Sequence, residues 1–329
     1  MSKVITANVE SIQEAAQILK AGGLVGMPTE TVYGLAANAL DGVAVAKIFA
    51  AKGRPQFNPL IIHVASVDEA KKYVVFSDVA EDIAARFWPG PLTLILPKVK
   101  YCAVSDLASA GLPTLAIRAP AHKVAQDLLK ACGVPLAAPS ANKSGSISPT
   151  SAMHVAESLG ASVDLILAAG SSAVGLESTV LDLSGEVPVI LRPGAVTAED
   201  IEAAIGIKPA YDFGEGTDIK SPGQLLKHYA PNIPLRLHAI DLNPGEALLA
   251  FGPDKFMGIK GGGAAKDLPE DARRNLSEHG DLHEAAANLF AYLRVLDNAA
   301  YSAIAVMNIP DVGLGIAIND RLKRAAETD

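Results

Sequence analysis

The sequence predicts an α/β protein: a mixed sheet with flanking helices, then a linker, then a small second α/β domain. Three observations carry this expectation. Short apolar runs alternate with amphipathic helical stretches. Neighbouring runs are joined by Pro/Gly turns, as in "WPGPLTLIL", which favours a mixed sheet over an all-parallel one. The alternation breaks over residues 208–234, rich in Pro, Gly and charge, and then resumes.

Taken in order, Ile12, Ala15, Ala16 and Leu19 recur at helical spacing, and Gly22–Gly23 stop that helix. The strand "LVGM" follows and is closed by Pro28. Apolar runs at 59–64, 92–96, 114–118, 134–138, 163–167, 179–183 and 189–191 read as further strands. Helices are expected between them at 43–51, 79–87, 122–131 and 150–159. Thr197 and Asp200 make a capping-box pattern that opens a helix near 198–205. The domains are therefore 10–200 and 235–329, with 208–234 as the linker. In the second domain, 235–239, 247–251 and 303–307 read as strands. Leu282, Ala286, Leu289, Leu293 and Leu296 mark one helix, and "INDRLKRAA" lies in a last one.

Composition narrows the function. Half of the 329 residues are hydrophobic, which excludes a disordered chain. The net charge is -8, with 15 Lys/Arg against 18 Asp/Glu up to residue 200 and 13 against 18 after it. Neither half is basic enough for nucleic-acid binding by counterion release. Cys102 and Cys132 form no disulfide framework or metal-ligand spacing, and read as thiols in a reducing compartment. No apolar run approaches the ~20 residues that span a bilayer, and "MSKVITANVESIQEA" has no signal-peptide core. A cytoplasmic protein is expected.

Five stretches look over-specified for packing alone. "PTETVYGLAANA" (28–39) sets hydroxyls and a carboxylate after a strand end, where open α/β sheets bind ligands. It also suits an ordinary strand-to-helix turn capped by Thr29 or Thr31. In "KGRPQFNPL", alternation along an extended chain would place Lys52 and Arg54 on one side, and an anion such as phosphate would relieve their repulsion. The alternative is a solvated charged loop. In "GLPTLAIRAPAH", Thr114, Ala116 and Arg118 share a strand face, with Arg118 either a rim charge or a clamp for a small carboxylate. "PLAAPSANKSGSISPTSAMHV" crowds hydroxyls before a helix that Ser148–Pro149 would open, making an anion site. "GLESTVLDL" and "ILRPGAV" add Ser178 and Arg192. By contrast, "GGGAA" makes no P-loop, "GLG" no dinucleotide fingerprint, and the seven histidines no metal pair.

Together with "WPGPLTLIL", these motifs resemble the YrdC-like family, densely over residues 10–200. The segments "SPGQLLKHYAP" and "GLGIAINDRLKRAA" resemble its longer, two-domain subfamily. The resemblance implies a twisted mixed sheet followed by a small Rossmann-like domain. It implies an activity as well: L-threonine, bicarbonate and ATP give threonylcarbamoyl-AMP and pyrophosphate, for modification of tRNA. Mg2+ would accompany ATP, with no metal-ligating residues in the protein. Lys52, Arg54, Asn58, Thr114, Ser140, Ser148, Arg192 and Tyr229 would serve ATP, with Lys52 and Arg54 catalytic. Thr31, His63, Arg118, Ala138 and Ser178 would hold threonine. The linker would act as a lid, although Gln224, Leu225 and Leu226 depart from the subfamily's pattern. "SSAV", before Gly175, departs from the family's pattern too. A downstream threonylcarbamoyl transferase and tRNA are the expected partners. Two competing readings are an RNA-binding module without catalysis and a carbamoyl phosphate-dependent transferase. The scarcity of aromatics and of cysteines speaks against each in turn.

Overall fold

The computed structural model describes residues 3–55, 57–213, 228–253, 258–260, 262, 265 and 268–327. They divide into two compact units, one of described residues within 3–144, 148–173 and 177–213, the other of those within 145–147, 174–176 and 228–327. Within the expected linker, 214–227 lie outside the described residues, Gln224, Leu225 and Leu226 among them.

The first unit is a mixed α/β layer. Its strands are β1 (Lys3–Thr6), β2 (Val25–Met27), β3 (Gly34–Asn38), β4 (Ile61–His63), β5 (Leu92–Pro97) and β6 (Thr114–Arg118). Then come β7 (Leu136–Ala137), β8 (Leu165–Ala168), β9 (Thr179–Asp182), β10 (Val189–Arg192) and β11 (Ala210–Tyr211). The helices are α1 (Val9–Lys20), α2 (Gly42–Lys52), α3 (Val67–Ala70), α4 (Asp78–Phe87), α5 (Lys123–Cys132), α6 (Ala152–Leu159) and α7 (Ala198–Ile205). The sheet runs β1-β8-β2-β3-β7-β4-β6-β5-β9-β10-β11.

Two sequence expectations fail here for local reasons. Residues 28–39 make no strand-to-helix turn. They fold back as β3, antiparallel to β2, with Val25 paired to Ala36 and Met27 to Gly34. The helix expected at Ser148–Pro149 starts later, at Ala152, because the Ser151 side chain accepts the His154 N–H as its cap. The Thr197–Asp200 capping box forms as expected.

Layering decides where a ligand can sit. One sheet face, with Leu35, Ile62, Leu94, Ile117 and Leu181, is packed under Val45, Ile48, Ile83, Val155 and Ile201 of α2, α4, α6 and α7. Each such fully buried side chain contributes about 1.5–3 kcal/mol. Half of the opposite face, around Val25, Met27, Leu136 and Leu165, is covered by α1 and α5. The other half carries only a small cluster of strand residues: Ile61, Ile95, Ala116, Val180 and Leu191. No helix side chain joins that cluster among the described residues, so it forms a floor rather than a filled core.

The second unit has a parallel sheet, β12-β15-β13-β14, of Leu235–Arg236, Ala303–Val306, Glu246–Ala250 and Arg273–Asn275. Helices α8 (Leu282–Leu296) and α9 (Leu314–Ala326) pack with it. No described helix is long and apolar enough to cross a membrane.

Candidate active site

Most of the polar residues singled out in the sequence are buried in three hydrogen-bonded clusters, the first at the end of α2. Gly53 caps that helix in the left-handed conformation, φ 59°, which costs a glycine nothing. Lys52 therefore leaves the last helical turn, and the extended alternation expected for Lys52 and Arg54 does not occur. Nor is this a solvated loop, because Lys52 and Arg54 are only 3% and 7% exposed. Lys52 Nζ donates to the carbonyls of Ser140 and Asn142, each at 2.5 Å. Arg54 donates from Nε to the Asn58 carbonyl (3.3 Å) and from Nη2 to that of Pro59 (3.0 Å). Burial, then Arg54, holds the Lys52 pKa well below its ordinary 10.5, with Glu177 opposing them. Ser148 is no helix cap; its hydroxyl donates to Glu177. Asn58 is fully buried, and neither atom of its side-chain amide has a hydrogen-bond partner.

The second cluster stands at the far ends of the same strands. β4 and β6 are parallel, with Ile61 beside Ala116 and His63 beside Arg118. Arg118 donates to the Gly90 carbonyl (3.0 Å), to Thr31 Oγ1 (2.9 Å) and to Glu30 Oε1. It is thus a buried anchor, 3% exposed, and not a rim charge. Burial, then Arg118, pushes the His63 pKa down to about 3. The ring is therefore neutral near pH 7, and Nδ1, 3.2 Å from the Ile61 carbonyl, carries the proton. That leaves Nε2 as an acceptor.

A third cluster joins β5, β9 and β10. Ser178 Oγ shares a 2.7 Å hydrogen bond with Thr93 Oγ1, and Arg192 donates to the Ser178 carbonyl and hydroxyl, both at 3.1 Å. Gly194 makes this possible: a Cβ there would lie 2.4 Å from the Thr179 nitrogen. The clusters are tied together. Thr179 N–H donates to Pro91, next to the Gly90 that receives Arg118. Thr31 shares a hydrogen bond with Thr29, whose carbonyl takes the Ser172 hydroxyl, while Ser172 N–H donates to Thr150.

Of the remaining candidates, Ala138 N–H donates to Ile61, on the floor. Thr114 begins β6, two residues before Ala116, and the same step back from Ile61 reaches the Pro59 held by Arg54. Tyr229 belongs to the second unit. Its ring stacks on Phe290 at 5.5 Å, with the Arg321 guanidinium 5.3 Å away. Sequence reasoning notes the Glu30 carboxylate without giving it a role, and passes over Asn142, Thr93 and Glu177. Each lies inside a quoted motif, but only burial and partners separate them from ordinary loop residues. Among the described residues, no group of three or more His, Cys, Asp or Glu could hold a metal ion.

A family model described as "Telomere recombination" matches residues 17–194, and one described as "Threonylcarbamoyl-AMP synthase, C-terminal domain" matches 196–327. Threonylcarbamoyl-AMP synthase of Pyrococcus abyssi is 42% identical over 96% of this chain and 94% of its own length. The chain belongs to the threonylcarbamoyl-AMP synthase family. The family's Bacillus subtilis member is 39% identical over 98% of this chain and 94% of its own. In structure, the Pyrococcus abyssi protein complexed with L-threonine superposes with a TM-score of 0.85 at 38% identity, over 99% and 97% of the two chains. Escherichia coli YciO matches 59% of this chain and 96% of its own, with a TM-score of 0.52 at 25% identity.

Proposed function

We propose that this protein condenses L-threonine, bicarbonate and ATP into threonylcarbamoyl-AMP, releasing pyrophosphate. One observation carries the reading: a single parallel strand pair has Arg54 and the unpartnered side-chain amide of Asn58 at its start and His63 and Arg118 at its end. A triphosphate suits the first end and an amino acid the second, with the apolar floor between them.

The chemistry asks for positioning more than covalent help. Threonine's carboxylate is assigned to Arg118, with Thr31, Ser178 and the backbone at Ala138 around it. The triphosphate is assigned to Lys52, Arg54 and Asn58, with Thr114, Ser140, Ser148 and Arg192 beside it. Once the amine has become a carbamate, its oxygen attacks the α-phosphate and pyrophosphate leaves. Lys52 and Arg54 neutralise the charge that develops on the phosphate oxygens. Mg2+ enters as part of the ATP substrate, since the ion keeps few protein ligands in such sites. Water would destroy the carbamate, so the attack requires a dry pocket. The product would pass to a transferase that modifies tRNA.

The test is mass spectrometry of the nucleotide product after incubation with ATP, threonine and labelled bicarbonate. A labelled threonylcarbamoyl-AMP is expected, with pyrophosphate release that requires all three substrates. Salt-dependent RNA binding without pyrophosphate release would instead favour a binding module.

A further inference from the structure

Arg118 carries five N–H donors. Three are used, on Gly90, Thr31 and Glu30. The two that remain sit one on each terminal nitrogen, which suits a carboxylate. The Glu30 side chain is 12% exposed, and its second oxygen, Oε2, is buried with no hydrogen-bond partner. Burial raises the carboxyl's pKa, but Arg118 and the Ala121 and Glu30 amides outweigh it and leave the value below the usual 4.5. Neither amide reaches Oε2 in hydrogen-bonding geometry. A buried, ionised, unpaired oxygen is costly and calls for a partner. Arg118 and Glu30 together therefore present two donors beside one acceptor, the complement of an α-amino acid zwitterion.

We propose that Glu30 Oε2 receives the α-ammonium of the amino-acid substrate and takes its first proton. The inference rests on the reading of Arg118 as the carboxylate clamp. The ammonium transfers one proton to the Glu30 carboxylate, giving a free amine and a neutral carboxylic acid. The amine's lone pair forms the N–C bond to bicarbonate. The C–OH bond breaks, and its hydroxide leaves with the second amine proton as water. The product is a carbamate anion. Glu30 thereby ties recognition to activation, because an amine held as ammonium has no lone pair to give.

Calorimetry with L-threonine and its hydroxy-acid analogue, in which a hydroxyl replaces the amine, tests this directly. The wild-type chain should prefer threonine by about ten- to a hundredfold, the weight of one charge-assisted hydrogen bond. Glu30→Gln should erase that preference without weakening the analogue, and Glu30→Asp should retain part of it. Equal wild-type affinities, or parallel weakening of both ligands in Glu30→Gln, would overturn the assignment. Should Glu30→Gln not fold, the wild-type preference and the Glu30→Asp measurement still decide. A wild-type chain that binds ATP but not threonine would instead overturn the reading of the clamp itself. For the proton, Glu30→Gln turnover relative to wild type should climb as pH approaches that of the free amine. The charged or titratable groups facing Glu30 are Arg118, His63 and His122, and all are kept in both proteins. Parallel pH profiles would refute the proton-accepting role.

Discussion

Replacing Arg54 with Ala separates the two halves of the site. Its Nε and Nη2 hold the Asn58 and Pro59 carbonyls, so truncation leaves two acceptors without those donors in a buried place. Each unsatisfied group costs about 1–3 kcal/mol, a loss that falls on the stability of the free protein. Each phosphate hydrogen bond lost with the guanidinium costs a further 1.5–3 kcal/mol or so, about ten- to a hundredfold in ATP affinity. Threonine should be spared, because Arg118 and His63 stand at the opposite ends of β4 and β6. Its dissociation constant should stay within about threefold, as expected for distant sites without shared partners. Calorimetry on the folded variant, with ATP and threonine in separate titrations, measures both. Arg54→Lys should not rescue ATP binding, since an ammonium lacks the fork that spans carbonyls and phosphate. Normal ATP affinity in a folded Arg54→Ala chain would refute the clamp.

Three further outcomes are expected. The folded-state pKa of Lys52 lies below 10.5, so between the two values the unfolded chain holds a proton that the folded chain lacks, and stability rises with pH there. ATP should restore that proton; in this window, calorimetry in buffers of different ionisation enthalpy should show uptake that Lys52→Met abolishes, and equal uptake in both proteins would refute it. Gly194→Ala would drive a Cβ into the Thr179 nitrogen at 2.4 Å and the Glu177 carbonyl at 2.7 Å. It should displace Ser178, cost roughly 3 kcal/mol or more in melting experiments and cut turnover; wild-type melting would exclude the clash. In the second unit, Arg236 and Asn243 overcome burial and hold Glu246 down to about 2. The stability it contributes should be full above 4.5 and fade towards pH 2, so the melting difference between wild type and Glu246→Gln should shrink over that range; a constant difference would argue against the ion pair.

How far the sequence could be read depended on what kind of signal each element carries. The helices α1 and α8 show in their periodicity, and β5 and β6 in apolar runs closed by Pro and Gly. The strand β3 does not, because "GLAAN" has no β-branched or aromatic residue. Its strand state is imposed by pairing with β2 and β7, a tertiary effect that propensity cannot anticipate. Lys52 and Arg54 show the reverse situation. The sequence marks them through an extended alternation that does not exist, yet both are buried on backbone carbonyls, because a helix C-cap turns the chain there. Glu30 is noted in the sequence but gains no role there, since a carboxylate in a polar loop looks solvated until its burial and its Arg118 partner are known.

The distribution of charge gives the two ends different tasks. Neutral carbonyls fix the direction of Lys52, Arg54 and Arg192 without cancelling their charge. At the start of the strand pair, Glu177 acts on Lys52 with Arg54 close by, so among the described residues named here two cations face one carboxylate. At the far end, Arg118 is matched by Glu30, and His63 is neutral. Among the described residues named here, that end sums to zero. A net-neutral amino acid can enter it without importing charge into a buried place, while a polyanion would meet the unpaired oxygen of Glu30 and be repelled. The positive end would in turn refuse an ammonium. Two substrates of opposite electrostatic character can therefore be sorted over one apolar floor before any contact with the reacting atoms is made.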